Sequence, residues 1–194
     1  GVSQWITSGP ARDDGHAWRA RACAVLTGIG TVLEDDPQLD VRAVSTPRQP
    51  TLVVMDSQLE TPITAKLFAP QRPVWIYCAV DHAERRAALE AKGAHVMCLP
   101  NPSGKVDLAA MLKDLGQKQI NEVHVEAGHK LNGSLLREGL VDELLTYLAP
   151  KLMGQGRGMT NLGPFTCLSD AMPLTFHEVT QIGPDLRILA RLNR

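Results

Sequence analysis

Residues Asn121 to Leu140, NEVHVEAGHKLNGSLLREGL, place a carboxylate next to a glycine-opened helix. Val123 to Val125 reads as a short apolar strand that ends on Glu126, and the carboxyl ends of strands are where open α/β sheets bind ligands. Gly128 leads into a helix with Leu131, Leu135 and Leu136 on one face. Gly139 stands at the left-handed C-cap position and Leu140 closes over it. The first N–H groups of such a helix have no intrahelical acceptor and lie at the positive end of its dipole, so they offer a phosphate site beside Glu126. The same residues also describe an ordinary strand–turn–helix unit in which the glycine only eases the turn.

Other groups carry chemistry less specifically. Arg19 and Arg42 both fall near element ends, where two guanidinium forks could clamp one phosphate monoester; solvated surface arginines are the plainer reading. Trp5 offers either core packing or a stacking face for a base. Gly28-x-Gly30 lacks the third glycine and the acidic partner of a dinucleotide fingerprint and reads as a tight turn. His124-x-Glu126 with His129 suggests a metal site, but the paired cysteines of a zinc deaminase are absent, so no metal is expected. No Gly-x-Ser-x-Gly elbow and no Walker loop occurs, which leaves covalent catalysis and a P-loop site unsupported.

The elements around these groups read in order. Ser8 caps a helix over about Pro10 to Arg21, with Trp18 and Ala22 inward. Ala24 to Thr27 is a buried strand, followed by a brief helix ending near Asp35 and broken by Asp36-Pro37. A loop runs to Pro50. Thr51 to Met55, Val74 to Ala79 and Ala94 to Leu99 are strands. Asp81, with Glu84, caps a helix that Gly93 ends, and Asp107 caps another carrying Leu108, Met111, Leu112 and Leu115. Glu143 to Ala149 is a further strand. Thr175 to Ile182 and Leu186 to Leu192 form an antiparallel hairpin on Gly183-Pro184-Asp185. Alternating strands and helices imply an α/β fold with a mostly parallel central sheet, helices on both faces, and an antiparallel C-terminal hairpin.

The totals bound the function. A chain of 194 residues at 44% hydrophobic and 21% charged suits a globular domain. Its net charge of -1 leaves no basic excess for a nucleic-acid surface, and no apolar run is long enough to span a membrane. Four cysteines without C-x-x-C spacing read as reduced, cytoplasmic thiols.

A series of segments carries a resemblance: Ser3-Gln4-Trp5-Ile6-Thr7, Trp18-Arg19-Ala20, Thr31 to Leu39, Asp56-Ser57, Val125-Glu126-Ala127-Gly128, Gly139 to Glu143 and Ala149-Pro150-Lys151-Leu152. In this order they resemble the reductase half of the bifunctional riboflavin-biosynthesis deaminase–reductase, whose three-layer fold is similar to dihydrofolate reductase. The resemblance implies NADPH-dependent reduction of 5-amino-6-(5-phosphoribosylamino)uracil to its ribitylamino product, with hydride delivered to ribose C1. It places Ser3, Arg19, Leu39, Arg42 and Glu126 on the substrate, the arginines on its 5-phosphate. It places Trp5, Thr31, Asp35 and Ser57 on NADPH, and Gly128, His129, Lys130, Leu131, Asn132, Gly133 and Ser134 on the cofactor's pyrophosphate. Asp35 and Glu126 are the expected catalytic groups. His129 departs from the family, which often has Pro there.

The chain is expected to be one reductase domain, 1–194, without the family's first strand and without the deaminase domain, where zinc would sit. A small-molecule phosphoribosylaminopyrimidine is the expected partner, and a homodimer or higher homo-oligomer the expected assembly. The alternatives are a catalytically idle nucleotide-binding or dimerisation module, or a related pyrimidine or folate reductase.

Overall fold

The computed structural model describes residues 5–193 and groups the chain into two compact units, one His16–Gly128 and the other Gly1–Gly15 with His129–Arg194. In chain order the elements are α1 (Gly9–Arg21), β1 (Ala24–Gly28), α2 (Ile29–Asp35), β2 (Thr51–Met55), β3 (Val74–Cys78), α3 (Ala83–Glu90), β4 (Ala94–Cys98), α4 (Leu108–Gln117), β5 (Val123–Val125), α5 (His129–Arg137), β6 (Glu143–Leu148), β7 (Leu174–Ile182) and β8 (Asp185–Leu192). No described helix is long and apolar enough to cross a membrane.

In the His16–Gly128 unit five strands form a parallel sheet in the order β4-β3-β2-β1-β5. Every residue of β2 is buried, which is why its sequence runs apolar without alternation. Val25, Leu52, Val54, Val74, Ile76 and Val96 line one core face, filled by Val32, Leu59, Leu67 and Leu89. Fully burying side chains of this size contributes about 1.5–3 kcal/mol each.

The loop after β2 is fixed by a fully buried carboxylate. Asp56 accepts from the Glu60 and Thr61 amides at 2.9 and 2.7 Å and from Thr61 Oγ1 at 2.6 Å. Arg85 of α3 donates to the Leu59 and Thr61 carbonyls, both at 2.8 Å.

Two local expectations change. Asp81 does not cap α3: the N-cap is His82, without a side-chain cap bond, because Arg86 takes the Asp81 carboxylate at 2.8 and 2.9 Å. Nor do Gly28 and Gly30 make a special turn. Gly28 has φ −104 and caps α2 directly, and the left-handed residue is Asp36 at its far end, φ 42. The cap on α4 is as expected, with Asp107 accepting from the Ala110 amide at 2.8 Å.

In the other unit β6, β8 and β7 form an antiparallel sheet. The β7–β8 hairpin is the expected one, turning at Gly183 with φ 59. β6 does not extend the parallel sheet that the helix–strand alternation suggested; it pairs with β8 from Glu143↔Arg191 to Leu148↔Leu186. Its partner is remote in sequence, so no local pattern marks it. Buried Asp185 accepts from both the amide and the hydroxyl of Ser8, at 2.7 Å each, tying the start of α1 to the hairpin.

Asp56→Ala leaves three donors in the buried loop without their acceptor, and each orphan costs about 1–3 kcal/mol. The urea midpoint is expected to fall by the equivalent of about 3 kcal/mol with m unchanged. A midpoint equal to wild type would show that the carboxylate is dispensable there.

Candidate functional site

Glu126 follows β5, and its position is set by backbone bonds to β1. Its amide donates to the Leu26 carbonyl at 2.9 Å and its carbonyl accepts from buried Thr27 Oγ1 at 2.8 Å. The carboxylate is held as a fork against Arg19: Nε donates to Oε1, and Nη2 to Oε2 at 2.6 Å. His124 Nε2 lies 3.4 Å from Oε1. Both partners of the ion pair are mostly shielded, with 16% of the Arg19 side chain exposed and 28% of Glu126. Burial pushes the Glu126 carboxyl up, but the Arg19 bonds, with His124 adding to them, outweigh it and hold it at about 2. Glu126 is therefore a carboxylate at neutral pH. It can accept hydrogen bonds and face a positive charge, but it cannot donate a proton.

The segment between α2 and β2 lies beside this pair. Residues 38–42 form neither helix nor strand, yet side chains hold their backbone atom by atom. Arg72 donates through Nη2 to the Gln38 carbonyl and through Nη1 to the Leu39 carbonyl at 2.5 Å. Arg19 Nη1 reaches the Asp40 carbonyl at 3.0 Å. Gln49 brackets Val41, accepting from its amide at 2.8 Å and donating to its carbonyl at 2.7 Å. The Arg42 amide donates to His16 Nδ1 at 3.4 Å. Burial lowers the His16 pKa, with Arg19 and Arg42 next in effect, which favours the neutral ring that can accept this bond. Leu39 is buried with φ 52, a conformation that needs outside support in a non-glycine residue.

Of the substrate residues expected from the sequence, the structure thus brings Arg19, Leu39, Arg42 and Glu126 to one region of this unit. Ser3 lies outside the described residues. Arg19 spends three of its five N–H donors on Glu126 and the loop, while Arg42, among the described residues, reaches Asp40 Oδ1 and keeps 55% of its side chain exposed. Four residues that shape the region had no motif to mark them: His16, Asp40, Gln49 and Arg72. His124, read as a rim or metal histidine, is a hydrogen-bond partner of Glu126. Among the described residues no group of three or more His, Cys, Asp or Glu is placed to hold a metal.

Within the same unit, Thr31 is near Gly128: a Cβ built on that glycine meets only Thr31 Oγ1, at 3.9 Å. The backbone at Gly128 is thus open on that side. Ser57 is half-buried past β2, its carbonyl accepting from the Ala79 and Val80 amides at 3.0 and 2.9 Å. Asp35 is exposed at the end of α2.

The remaining cofactor candidates belong to the other unit. Trp5 is 65% exposed under the Arg12 guanidinium, 4.4 Å from the ring centroid. Around α5, the Asn161 amide donates to the His129 carbonyl at 2.9 Å and Asn132 Nδ2 to the Met159 carbonyl at 3.1 Å. Ser134 Oγ donates to the Lys130 carbonyl at 3.1 Å. A Cβ on Gly133 would stand 2.0 Å from the Asn161 carbonyl oxygen. The space at Gly133 is thus filled by protein backbone, unlike the space at Gly128.

Comparison with known proteins bears on the family and the fold. The family model of the RibD C-terminal domain matches residues 1–188. The chain is 38% identical to the riboflavin biosynthesis protein RibD of Escherichia coli K12, over 96% of this chain and 53% of that protein. It is 29% identical to the 5-amino-6-(5-phosphoribosylamino)uracil reductase of Buchnera aphidicola subsp. Acyrthosiphon pisum, over 97% of this chain and 96% of that one. Acinetobacter baumannii RibD superposes with a TM-score of 0.85 at 33% identity, covering 100% of this chain and 53% of that one. The chain spans about half the length of these RibD proteins. The fold is the dihydrofolate-reductase-like one that the sequence implied.

Because the folded Glu126 carboxyl sits near 2 against an ordinary 4.5, the unfolded chain binds its proton more tightly. The pair's contribution is fully present above about pH 4.5 and is lost as pH falls through about 2. Wild-type stability should therefore decline across that window, and Glu126→Gln should flatten the decline, measured by urea unfolding at stepped pH. Identical slopes would remove this pair from the acid response.

Proposed function

The chain belongs to the RibD C-terminal domain family, and on that premise we propose that it reduces 5-amino-6-(5-phosphoribosylamino)uracil to the 5-phosphoribitylamino product with NADPH. The observation that carries the reading is the Glu126–Arg19 fork beside the ordered loop of Leu39 and Arg42. The near full-length match to a reductase of the same extent supports it.

When bound, NADPH supplies the hydride for ribose C1, and the chain's own residues align the substrate and keep water away. Arg42 takes the 5-phosphate with the donors that Asp40 does not use, and Arg19 adds the two of its five N–H groups not spent on Glu126 and Asp40. Leu39 packs against the sugar. Glu126 acts as an anion: it accepts from substrate N–H or O–H groups and faces the positive charge that develops as the opened sugar becomes an iminium. Its ionisation means that the proton taken up by the ring oxygen as the sugar opens comes from another donor. Thr31, Asp35, Ser57 and Gly128 contact the cofactor, with Ser57 at the adenosine 2′-phosphate; Trp5 and the first turn of α5, His129 to Ser134, keep their cofactor assignment as well. A cytoplasmic location and homo-oligomeric assembly belong to the same proposal. The exposed Leu174, Phe176 and Val179 of β7 support the latter.

Single-turnover oxidation of NADPH by the ribosylaminopyrimidine tests the activity, and cofactor binding without oxidation would reduce the chain to an idle binder. Arg42→Ala should weaken the phosphorylated substrate by about 1.5–3 kcal/mol, the scale of a charge-assisted hydrogen bond, and leave NADPH affinity unchanged. An equal loss for the dephosphorylated substrate would take Arg42 off the phosphate.

A further inference from the structure

Arg72 has no part in the assignments above, yet its setting is unusual. Its Nε is buried without a hydrogen-bond partner, and its pKa is pulled down to about 10 by burial, with Asp40 opposing and Arg19 adding to the fall. It remains a cation at neutral pH. A poorly solvated guanidinium is costly unless its bonds accomplish something specific. Here both terminal nitrogens go to consecutive carbonyls, Gln38 and Leu39, at the point where Leu39 is held at positive φ. A lysine could not span both carbonyls with one planar fork.

We propose that Arg72 is a positioning residue for the substrate's phosphate arm, which presets the 38–42 loop so that Leu39 and Arg42 meet the substrate already in place. The inference rests on the reading that this loop receives the phosphorylated substrate. The loop has no ladder of its own, and Arg72 supplies two of the side-chain bonds that replace one. Asp40 ties the parts together: its carboxylate pairs with Arg42, its carbonyl accepts from Arg19, and its charge acts on Arg72. Three guanidinium groups therefore gather about Asp40 and Glu126, an excess of positive charge that suits a phosphate. Without Arg72 the loop must be ordered at the moment of binding, which costs affinity and spares the chemical step.

The test compares wild type, Arg72→Ala and Arg72→Lys with the phosphorylated substrate, its dephosphorylated form and NADPH. In Arg72→Ala, KM for the phosphorylated substrate should rise on the order of tenfold or more while kcat and KM for NADPH stay close to wild type. Arg72→Lys should fall between. Amide exchange at Val41 and Arg42 should accelerate in the alanine variant without ligand, a readout that keeps the idea testable if turnover is too low to measure. An unchanged KM, or a common fall in kcat and NADPH affinity, would overturn the positioning role. If wild type itself fails to bind the phosphorylated substrate, the functional reading falls and takes this one with it. If wild type binds and Arg72→Ala binds as tightly, the role of Arg72 alone falls.

Discussion

The fork between Arg19 and Glu126 is the constraint on which the candidate site of the His16–Gly128 unit depends. Glu126 stands just past a three-residue strand, and a carboxylate in so sheltered a place would ordinarily take up a proton to avoid the cost of a buried charge. Two parallel N–H···O bonds from Arg19 reverse that preference. The same guanidinium reaches the Asp40 carbonyl, so one side chain both fixes the charge at the end of β5 and anchors the loop beside it. Removing Arg19 would strand a buried carboxylate, not merely subtract a phosphate ligand, and a binding loss in such a variant would mix two effects.

The loop itself illustrates how irregular backbone can be made rigid. A strand or helix satisfies its peptide groups internally, whereas residues 38–42 have no such ladder and must find partners elsewhere. Arg72, Arg19, Gln49 and His16 supply them from outside the segment. The arrangement makes Arg42 a side chain with an exposed end on a fixed base, a combination suited to gripping a charged ligand with little ordering left to do.

Much of this was readable from residue order alone, and the limits follow from the kind of signal. β2 and β5 appear at the bounds expected, because a short run of β-branched and apolar residues flanked by polar ones leaves few alternatives. Asp107 caps its helix as expected, its carboxylate accepting from the Ala110 amide. Asp81 has the same local pattern but meets Arg86, a competition that capping rules do not weigh. The pairing of β6 with β8 and the convergence of His16, Gln49 and Arg72 on one loop depend on contacts between residues distant in sequence. Nothing in an arginine preceding Pro73 announces that its guanidinium will bind a loop more than thirty residues earlier. Glu126, Arg19 and Arg42 stand out by their places at the ends of elements, but the roles proposed for them come from the resemblance, because position alone equally allows surface arginines and a plain strand–turn–helix unit.

The two glycines of the organising segment show why a motif needs geometry before it has a meaning. Both Gly128 and Gly133 fall in the stretch assigned to a pyrophosphate, and sequence treats them alike. At Gly128 a methyl group would meet only Thr31 Oγ1 at ordinary contact distance, so the surrounding described residues leave room for alanine. At Gly133 the carbonyl oxygen of Asn161 already occupies the space, and any side chain would collide with backbone. Gly133 is thus explained by folding alone, while packing gives no reason for glycine at Gly128. A phosphate-binding role is therefore better argued from the glycine that the fold does not require.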